Sequence, residues 1–456
     1  MLHAGYERAP LPPVRQESPS AARDASVEPP AKVRKQPAEQ RDPFLDNAKY
    51  LTIVLVAIGH VWDPLRDDSR AASALYFVLY AFHMPAFIII SGYLSRSFEG
   101  KPRQIKRLIT GVLVPYVVFQ TVYTFFMRWA SDNPDREFHY QEPGFALWFL
   151  VALFLWRLTT PLWKSMRWPV PVALAIAVAA GVTPSISNDL NLMRVATFLP
   201  FFVLGLQLKP EHFQIVTRRK FRMLALPVFA AAVLFAYWAV PRMSKGWFLH
   251  DKASQDLGAP AWVGGVMTLA TFGCGLVLTA AFLALVPRRH MWFTALGAGT
   301  LYAYLLHVYP IKISREFEWY DMEWVDHPLS RVGITLLAAV MMTVLCTSPF
   351  RRVFRFAMEP KMEWFFKQDA GAQARARENG HGNGKSAGEA PQHATPAAPD
   401  PGRGTGDGTR GGGGRPSEKY AASPSYSYSG HSSSGASSSG PAYRSSGGDD
   451  RGGHAR

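Results

Sequence analysis

Long apolar runs separated by short charged stretches fill the middle of this 456-residue chain. Ten can be marked, at 44–63, 75–95, 108–127, 144–160, 168–183, 195–208, 222–240, 260–286, 292–312 and 331–350. Each is long enough, or nearly so, to cross a bilayer of about 30 Å as a helix. The pattern predicts an all-α integral membrane protein with about ten transmembrane helices in one bundle. The runs near 168 and 195 are the shortest and fit tilted or partly buried helices.

The ends of the chain read differently. Residues 1–43 are rich in Pro, Ala, Arg and Glu, and residues 368–456 in Gly, Ser, Ala, Pro and Arg. Neither stretch has the apolar surface to offset its ordering entropy, so both are predicted to be disordered tails. Between them lie a transmembrane domain over 44–350 and a basic juxtamembrane segment over 351–367. No apolar stretch precedes Phe44, so no signal peptide is expected and the first helix directs insertion.

Charge then orders the loops. Those with Arg96, Lys101, Arg103, Lys106 and Arg107, with Arg157, Lys164 and Arg167, with Lys209, Arg218, Arg219, Lys220 and Arg222, and with Arg288 and Arg289 are cationic. Alternate loops carry Asp63, Asp67 and Asp68, then Asp132, Asp135 and Glu137, then Asp189, then Asp251 and Asp256, then Glu316, Glu318, Asp321 and Glu323. The positive-inside rule places both tails in the cytoplasm, His60 toward the outer surface, and the protein in the cell membrane as a multi-pass enzyme or carrier. A net charge of +15 is accounted for by this bias and by contact with anionic lipid, without nucleic acid. Gly406-Asp-Gly408-Thr-Arg-Gly411 matches a dinucleotide pattern only formally, with no strand before it. Two cysteines, both in apolar runs, give no disulfide framework and no zinc spacing.

Chemistry concentrates in the first helix. Asp46, Lys49 and His60 are ionisable residues in or at the ends of an apolar span, and such residues face a bundle interior or a cavity and mark functional paths. Lys49 and His60 are eleven residues apart, close to three full turns, so they share a helix face, with Asp46 about 40° away. The bland reading gives Asp46 to the helix dipole and Lys49 to snorkelling. Further along, His83 precedes Pro85, which kinks its helix; His83 either faces the cavity or is a neutral histidine bonded to a freed carbonyl. Arg194 and His307 fall at the depth of His60, as cavity residues or interface anchors. Arg96, Arg103, Lys106 and Arg107 lie toward the other face with Lys49, placed to bind phosphates or simply to be loop cations.

Lys49 spaced eleven from His60, Phe82-His-Met-Pro85 before Ser91-Gly92-Tyr93, Leu147-Trp-Phe-Leu150, Phe198-Leu-Pro-Phe-Phe-Val-Leu-Gly205 and Tyr304-Leu-Leu-His307 together resemble the membrane-bound acyltransferase-3 family, most closely its fucose 4-O-acetylase-like branch. The resemblance covers roughly 42–350. It implies transfer of an acyl group, acetyl by default, from cytoplasmic acetyl-CoA to a hydroxyl of a sugar, glycan, glycolipid or exported metabolite. It implies an essential histidine at His60, a donor-linked basic residue at Lys49, and motif positions Ser91 and Tyr93 near the acceptor cavity. The family's doubly basic motif is matched only loosely, by Arg103 and Lys106. Its appended hydrolase-like domain is not expected, since the C-terminal tail has no Gly-x-Ser-x-Gly.

Geometry accommodates that chemistry. Lys49 and His60 are about 16 Å apart along the helix, and a pantetheine arm reaches on the order of 16–18 Å. A nucleotide held by Lys49, Asp46, Arg103, Lys106 and Arg107 would then present its thioester at His60. His60 would act as general base, with Asp63 orienting the ring, or be acylated itself. The competing class is a transporter or flippase for a lipid-linked sugar, which would show matching broken helices in two halves; no internal repeat is visible. A metal site on His60, His83 and His307 has no sequence spacing behind it, and no resident cofactor is expected.

Overall fold

The computed structural model describes residues 42–365 except 67, 68, 185, 187, 188, 361 and 363. The two expected disordered tails, apart from Asp42 and Pro43, lie outside the described residues, as do Asp67 and Asp68. Among the described residues the secondary structure is entirely helical.

Helix α1 spans Pro43–Trp62, α2 Arg70–Leu94, α3 Pro102–Leu108 and α4 Val114–Ala130, the last two joined by a π turn at Ile109–Leu113. Next come α5 (Trp148–Leu158), α6 (Thr160–Ser165), α7 (Pro169–Gly181), α8 (Leu192–Gln207) and α9 (Pro210–Val216). They are followed by α10 (Arg219–Ala239), α11 (Gly246–Leu249), α12 (Ala261–Leu285), α13 (Thr300–Leu306), α14 (Val308–Glu316), α15 (Pro328–Leu345), α16 (Ser348–Val353) and α17 (Arg355–Met358). Seven stretches among the described residues are long and apolar enough to cross a membrane: α1, α2, α3 through α4, α8 with the turn before it, α10, α12 and α15. Helices α5 and α7 are apolar but shorter.

Two expectations are corrected. The 292–312 run is not one helix: a 3-10 turn at Thr294–Ala298 leads into α13 and α14, which meet at His307. Pro310 has no N–H for the Leu306 carbonyl four residues back, which explains the break. The helix expected over 108–127 begins earlier, at Pro102, so Arg103, Lys106 and Arg107 occupy its first turns rather than a loop. Proline is preorganised for that first position. Gln104 folds back to accept from the backbone N–H of Glu99 at 2.8 Å and of Lys101 at 3.2 Å, satisfying two donors at the helix start.

Burial is distributed as in a membrane bundle. The most apolar window of α1 is 67% buried, whereas that of α10 or of α15 is 11% buried. The outer helices turn Leu226, Leu234, Trp262, Leu336 and Leu337 outward as exposed side chains. In water such a surface would be penalised by about 25 cal/mol per Å²; against lipid tails it costs nothing, and polar groups collect inside instead. The chain is a multi-pass membrane protein.

Central α1 packs against α2, α15 and the turn at 294–298. Asn47, fully buried, fixes its start: its Nδ2 donates to the carbonyls of Pro287 at 2.9 Å and Arg289 at 3.0 Å, and its Oδ1 accepts from the Thr294 hydroxyl at 2.6 Å. At the other end Trp62 Nε1 donates to Thr335 of α15 at 2.8 Å. Helix α2 meets α8 backbone to backbone. A methyl built on Gly92 would run into the Phe202 carbonyl oxygen, and one on Gly205 into that of Ile89. Glycine at both positions is what lets these helices touch.

Gly92→Ala and Gly205→Ala should therefore each destabilise the fold by about 1–3 kcal/mol, the cost of overpacking, seen as a lower unfolding temperature in detergent. Gly273→Ala, whose added methyl meets nothing within 4 Å, should not lower it; equal stability of all three variants would show that α2 and α8 do not meet at these glycines.

Candidate active site

The last turn of α1 delivers His60 to a cavity of about 230 Å³. Helix α2 contributes Tyr76, Tyr80, His83 and Met84; the turn before α5 contributes Phe145 and Ala146, and α5 itself begins with Trp148. From α8 come Arg194 and Phe198, and Tyr304 comes from α13. A larger groove of about 520 Å³ lies between the end of α1, the start of α2 and α15. Its walls are aliphatic apart from Trp62, Arg66, Arg331 and two hydroxyl side chains, so it offers no general base to activate a hydroxyl. The polar cavity is the candidate for chemistry.

Three histidines gather there. The half-buried His60 ring lies 5.5 Å, centroid to centroid, from that of His307, and 4.5 Å from Phe145. His83 Nδ1 is 2.7 Å from the Leu79 carbonyl and His307 Nδ1 is 2.5 Å from that of Tyr304. A carbonyl only accepts, so both Nδ1 atoms carry the proton and both Nε2 atoms are left as acceptors. The carbonyl that His83 engages is one turn back on its own helix, not the Ala81 carbonyl that Pro85 cannot bond. His307 is fully buried behind His60, and its Nε2 has no hydrogen-bond partner among the described residues. The His60 ring likewise makes no hydrogen bond among the described residues.

Arg194 is built into the wall. Its Nη1 donates to Asn191 at 2.6 Å, its Nε to the Leu249 carbonyl at 3.2 Å and its Nη2 to Asp251 at 2.9 Å, with the guanidinium 5.6 Å over the Trp148 ring. These bonds tie α8 to the connection after α11, where His250 packs on Phe198 at 4.5 Å. Burial, with Arg194 adding to it, pulls His250 down to about 4, so it is neutral at ordinary pH.

Asp63, expected to orient the His60 ring, is engaged elsewhere. Its carboxylate pairs with Arg66, accepts from the Tyr76 hydroxyl at 2.8 Å and faces Arg315 Nη2 at 3.2 Å. Arg315 also donates to the His60 backbone carbonyl at 2.7 Å. Ser91 and Tyr93, expected near the acceptor, lie toward the opposite end of α2. The Ser91 hydroxyl returns to the Phe87 carbonyl at 2.8 Å. Tyr93 packs edge-on against Phe213, which also meets Phe44 of α1, and lies under Arg96 at 3.6 Å. The Ser-Gly-Tyr motif is here a packing motif around Gly92.

Lys49 and Asp46 sit at that same end as an ion pair of 2.7 Å. Between Lys49 and His60 the shared face of α1 carries Ile53, fully buried, and Val56, which lines the cavity. Arg103 and Arg107 are exposed and Lys106 half-buried on α3, which packs on α5. Among the described residues no group of three His, Cys, Asp or Glu is placed to hold a metal ion, His60, His83 and His307 included.

Tyr76, Tyr80, Phe145, Asp251 and Arg315 were not singled out from the sequence. Asp251 had entered only as an acidic loop residue, and Arg315, with Lys312, stands as a cation beside an otherwise acidic stretch. Phe145 has φ +43°, a left-handed backbone that costs a bulky residue about 1–3 kcal/mol and persists only where the surroundings impose it. Its neighbours are held: Gly144 N–H donates to Gln120 at 2.9 Å, and the Ala146 carbonyl accepts from the Tyr304 hydroxyl.

The profile of the acyltransferase-3 family, described as an acyltransferase domain, matches residues 42–351. Nodulation protein NolL of Mesorhizobium japonicum is 32% identical over 219 residues, 43% of this chain and 57% of that protein. Nodulation protein NolL of Sinorhizobium fredii is 24% identical over 294 residues, 59% of this chain and 78% of that protein. The chain thus spans little more than half the length of the first of these relatives. No solved structure matches it. With the profile covering most of the chain and membrane-length helices arranged around a polar cavity, the protein is a multi-pass membrane protein and belongs to the acyltransferase-3 family.

Proposed function

We propose that the protein is an O-acyltransferase, by default an O-acetyltransferase, that moves an acyl group from cytoplasmic acyl-CoA to a hydroxyl of a sugar, glycan, glycolipid or exported metabolite. The observation that carries this is one cavity in which the His60 imidazole, with its hydrogen-bonding capacity open, faces Arg194 and an aromatic wall of Phe145, Trp148 and Phe198. Flat aromatic faces and a fixed guanidinium suit a ring that carries hydroxyls.

In this mechanism His60 takes the proton of the acceptor hydroxyl as its oxygen attacks the thioester carbonyl. The C–O bond forms, the C–S bond breaks, and the proton passes from the imidazolium to the departing thiolate. Arg194 holds the acceptor or the developing oxyanion as a charged donor. Lys49, held by Asp46, with Arg103, Lys106 and Arg107, receives the nucleotide phosphates at the other end. Delivery of the thioester from there requires the Ile53 and Val56 side chains to move aside, since both lie on the face that joins Lys49 to His60.

The ten apolar runs correspond to ten crossings, with α5, α7 and the α13–α14 pair completing the seven long spans, and both tails cytoplasmic. The alternation of cationic and acidic loops supports this arrangement.

His60→Ala should lower acyl transfer by at least about 10²–10⁴-fold, the contribution of a positioned base, with the protein still folded and membrane-inserted. Acetyl-ester content of glycans and lipids extracted from cells with and without His60 measures it; undiminished turnover sinks the assignment. Arg194→Lys should raise the acceptor KM by about tenfold, equivalent to about 1.4 kcal/mol of lost charged hydrogen bonding, and leave the acyl-CoA KM within twofold. An unchanged acceptor KM would remove Arg194 from the acceptor site. With Cys274 and Cys346 replaced, a cysteine at Asp135 should react with a membrane-impermeant maleimide in intact cells, and one at Ser423 only after permeabilisation. The reverse pattern would invert the topology.

A further inference from the structure

We propose that Arg315, in the last turn of α14, is the positioning residue that holds His60 and its Phe145 cover in register. The inference rests on the reading of His60 as the base.

The carbonyl of His60 is among the last four of α1, which have no donor within their own helix. A helix end left so would fray, and the imidazole attached to it would wander. Arg315 supplies the missing donor from another helix: its Nη2 gives one N–H to the His60 carbonyl at 2.7 Å and faces Asp63 Oδ2 at 3.2 Å. Asp63 is itself bound by the Tyr76 hydroxyl of α2 at 2.8 Å, so α1, α2 and α14 are tied together within one turn of His60. The same guanidinium lies 5.3 Å over the Phe145 ring, and Phe145 lies 4.5 Å from His60. One planar cation therefore reaches a carbonyl, a carboxylate and an aromatic face at once, which the point charge of a lysine cannot do. Phe145 in its left-handed backbone needs such an external hold. The other end of α14 begins beside His307, whose ring flanks His60 at 5.5 Å, so this helix brackets the base from both sides.

Arg315→Met and Arg315→Lys are compared with wild type and with His60→Ala in the full-length membrane protein. Misplacing a reacting group by about 1 Å costs on the order of 100-fold, so Arg315→Met should lower kcat by about 10- to 100-fold with both KM values within twofold. Arg315→Lys should recover part of kcat. Ethoxycarbonylation of His60 by diethyl pyrocarbonate, followed by mass spectrometry, should accelerate several-fold in Arg315→Met as Phe145 leaves the ring. Wild-type kcat and a wild-type ethoxycarbonylation rate in Arg315→Met, with His60→Ala inactive, overturns the inference alone. Loss of kcat only in proportion to loss of folded protein, with lysine no better than methionine, also overturns it. Turnover by His60→Ala would instead strike the base assignment, and the ethoxycarbonylation rate would still decide whether Arg315 holds the ring. Should the methionine variant not fold, the lysine variant carries both measurements.

Discussion

A polar group inside hydrocarbon must find its partner within the protein, because the solvent there offers none. In α1 that constraint sets more than stability. Asn47 bonds to the 287–294 segment, Tyr50 shares a hydrogen bond of 2.7 Å with Thr343 of α15, and Trp62 bonds to Thr335 of the same helix. A helix among lipid tails and other apolar helices has little hydrophobic reason to prefer one rotation about its axis. These bonds, spread from its first turn to its last, supply the preference, and they aim His60 at α2, α5 and α8.

The prolines answer to the same constraint. Pro85 within α2 and Pro310 within α14 each withhold a backbone donor within three residues of a histidine, His83 and His307. Each of those histidines settles its Nδ1–H on a carbonyl of its own helix. The His307 Nε2 stays without a hydrogen-bond partner among the described residues, beside His60, so the site holds a proton acceptor there without adding a charge. The charges that are present are all held: Arg194 by Asp251, Asp63 by Arg66 and Arg315, Lys49 by Asp46. A buried ion left alone would be costly enough to lose its charge or unfold its surroundings.

Close packing carries the rest. Where α2 crosses α8, two glycines let backbone meet backbone, and this crossing fixes the distance between His83 on one helix and Arg194 on the other. The motif residues around Gly92 and Gly205 thus serve the site from a distance.

Hydrophobic run length by itself determined that the protein is helical and membrane-embedded, because an apolar stretch long enough to span leaves the backbone no other way to satisfy its hydrogen bonds. The eleven-residue spacing likewise put Lys49 and His60 on one face of α1, since helical period is a local property. The same period sets Ile53 and Val56 on that face between them, but only packing buries Ile53 there and brings Val56 to the cavity wall. The same holds for Asp63, which is three residues from His60 and looks like its partner, yet turns to its neighbour Arg66 and to Tyr76 and Arg315 brought in by α2 and α14. Arg315 is 255 residues from His60 in sequence and 2.7 Å from its carbonyl in space. Periodicity reports what a segment does with its neighbours in the chain, whereas a hydrogen bond between distant helices exists only once tertiary packing has set their rotation and depth.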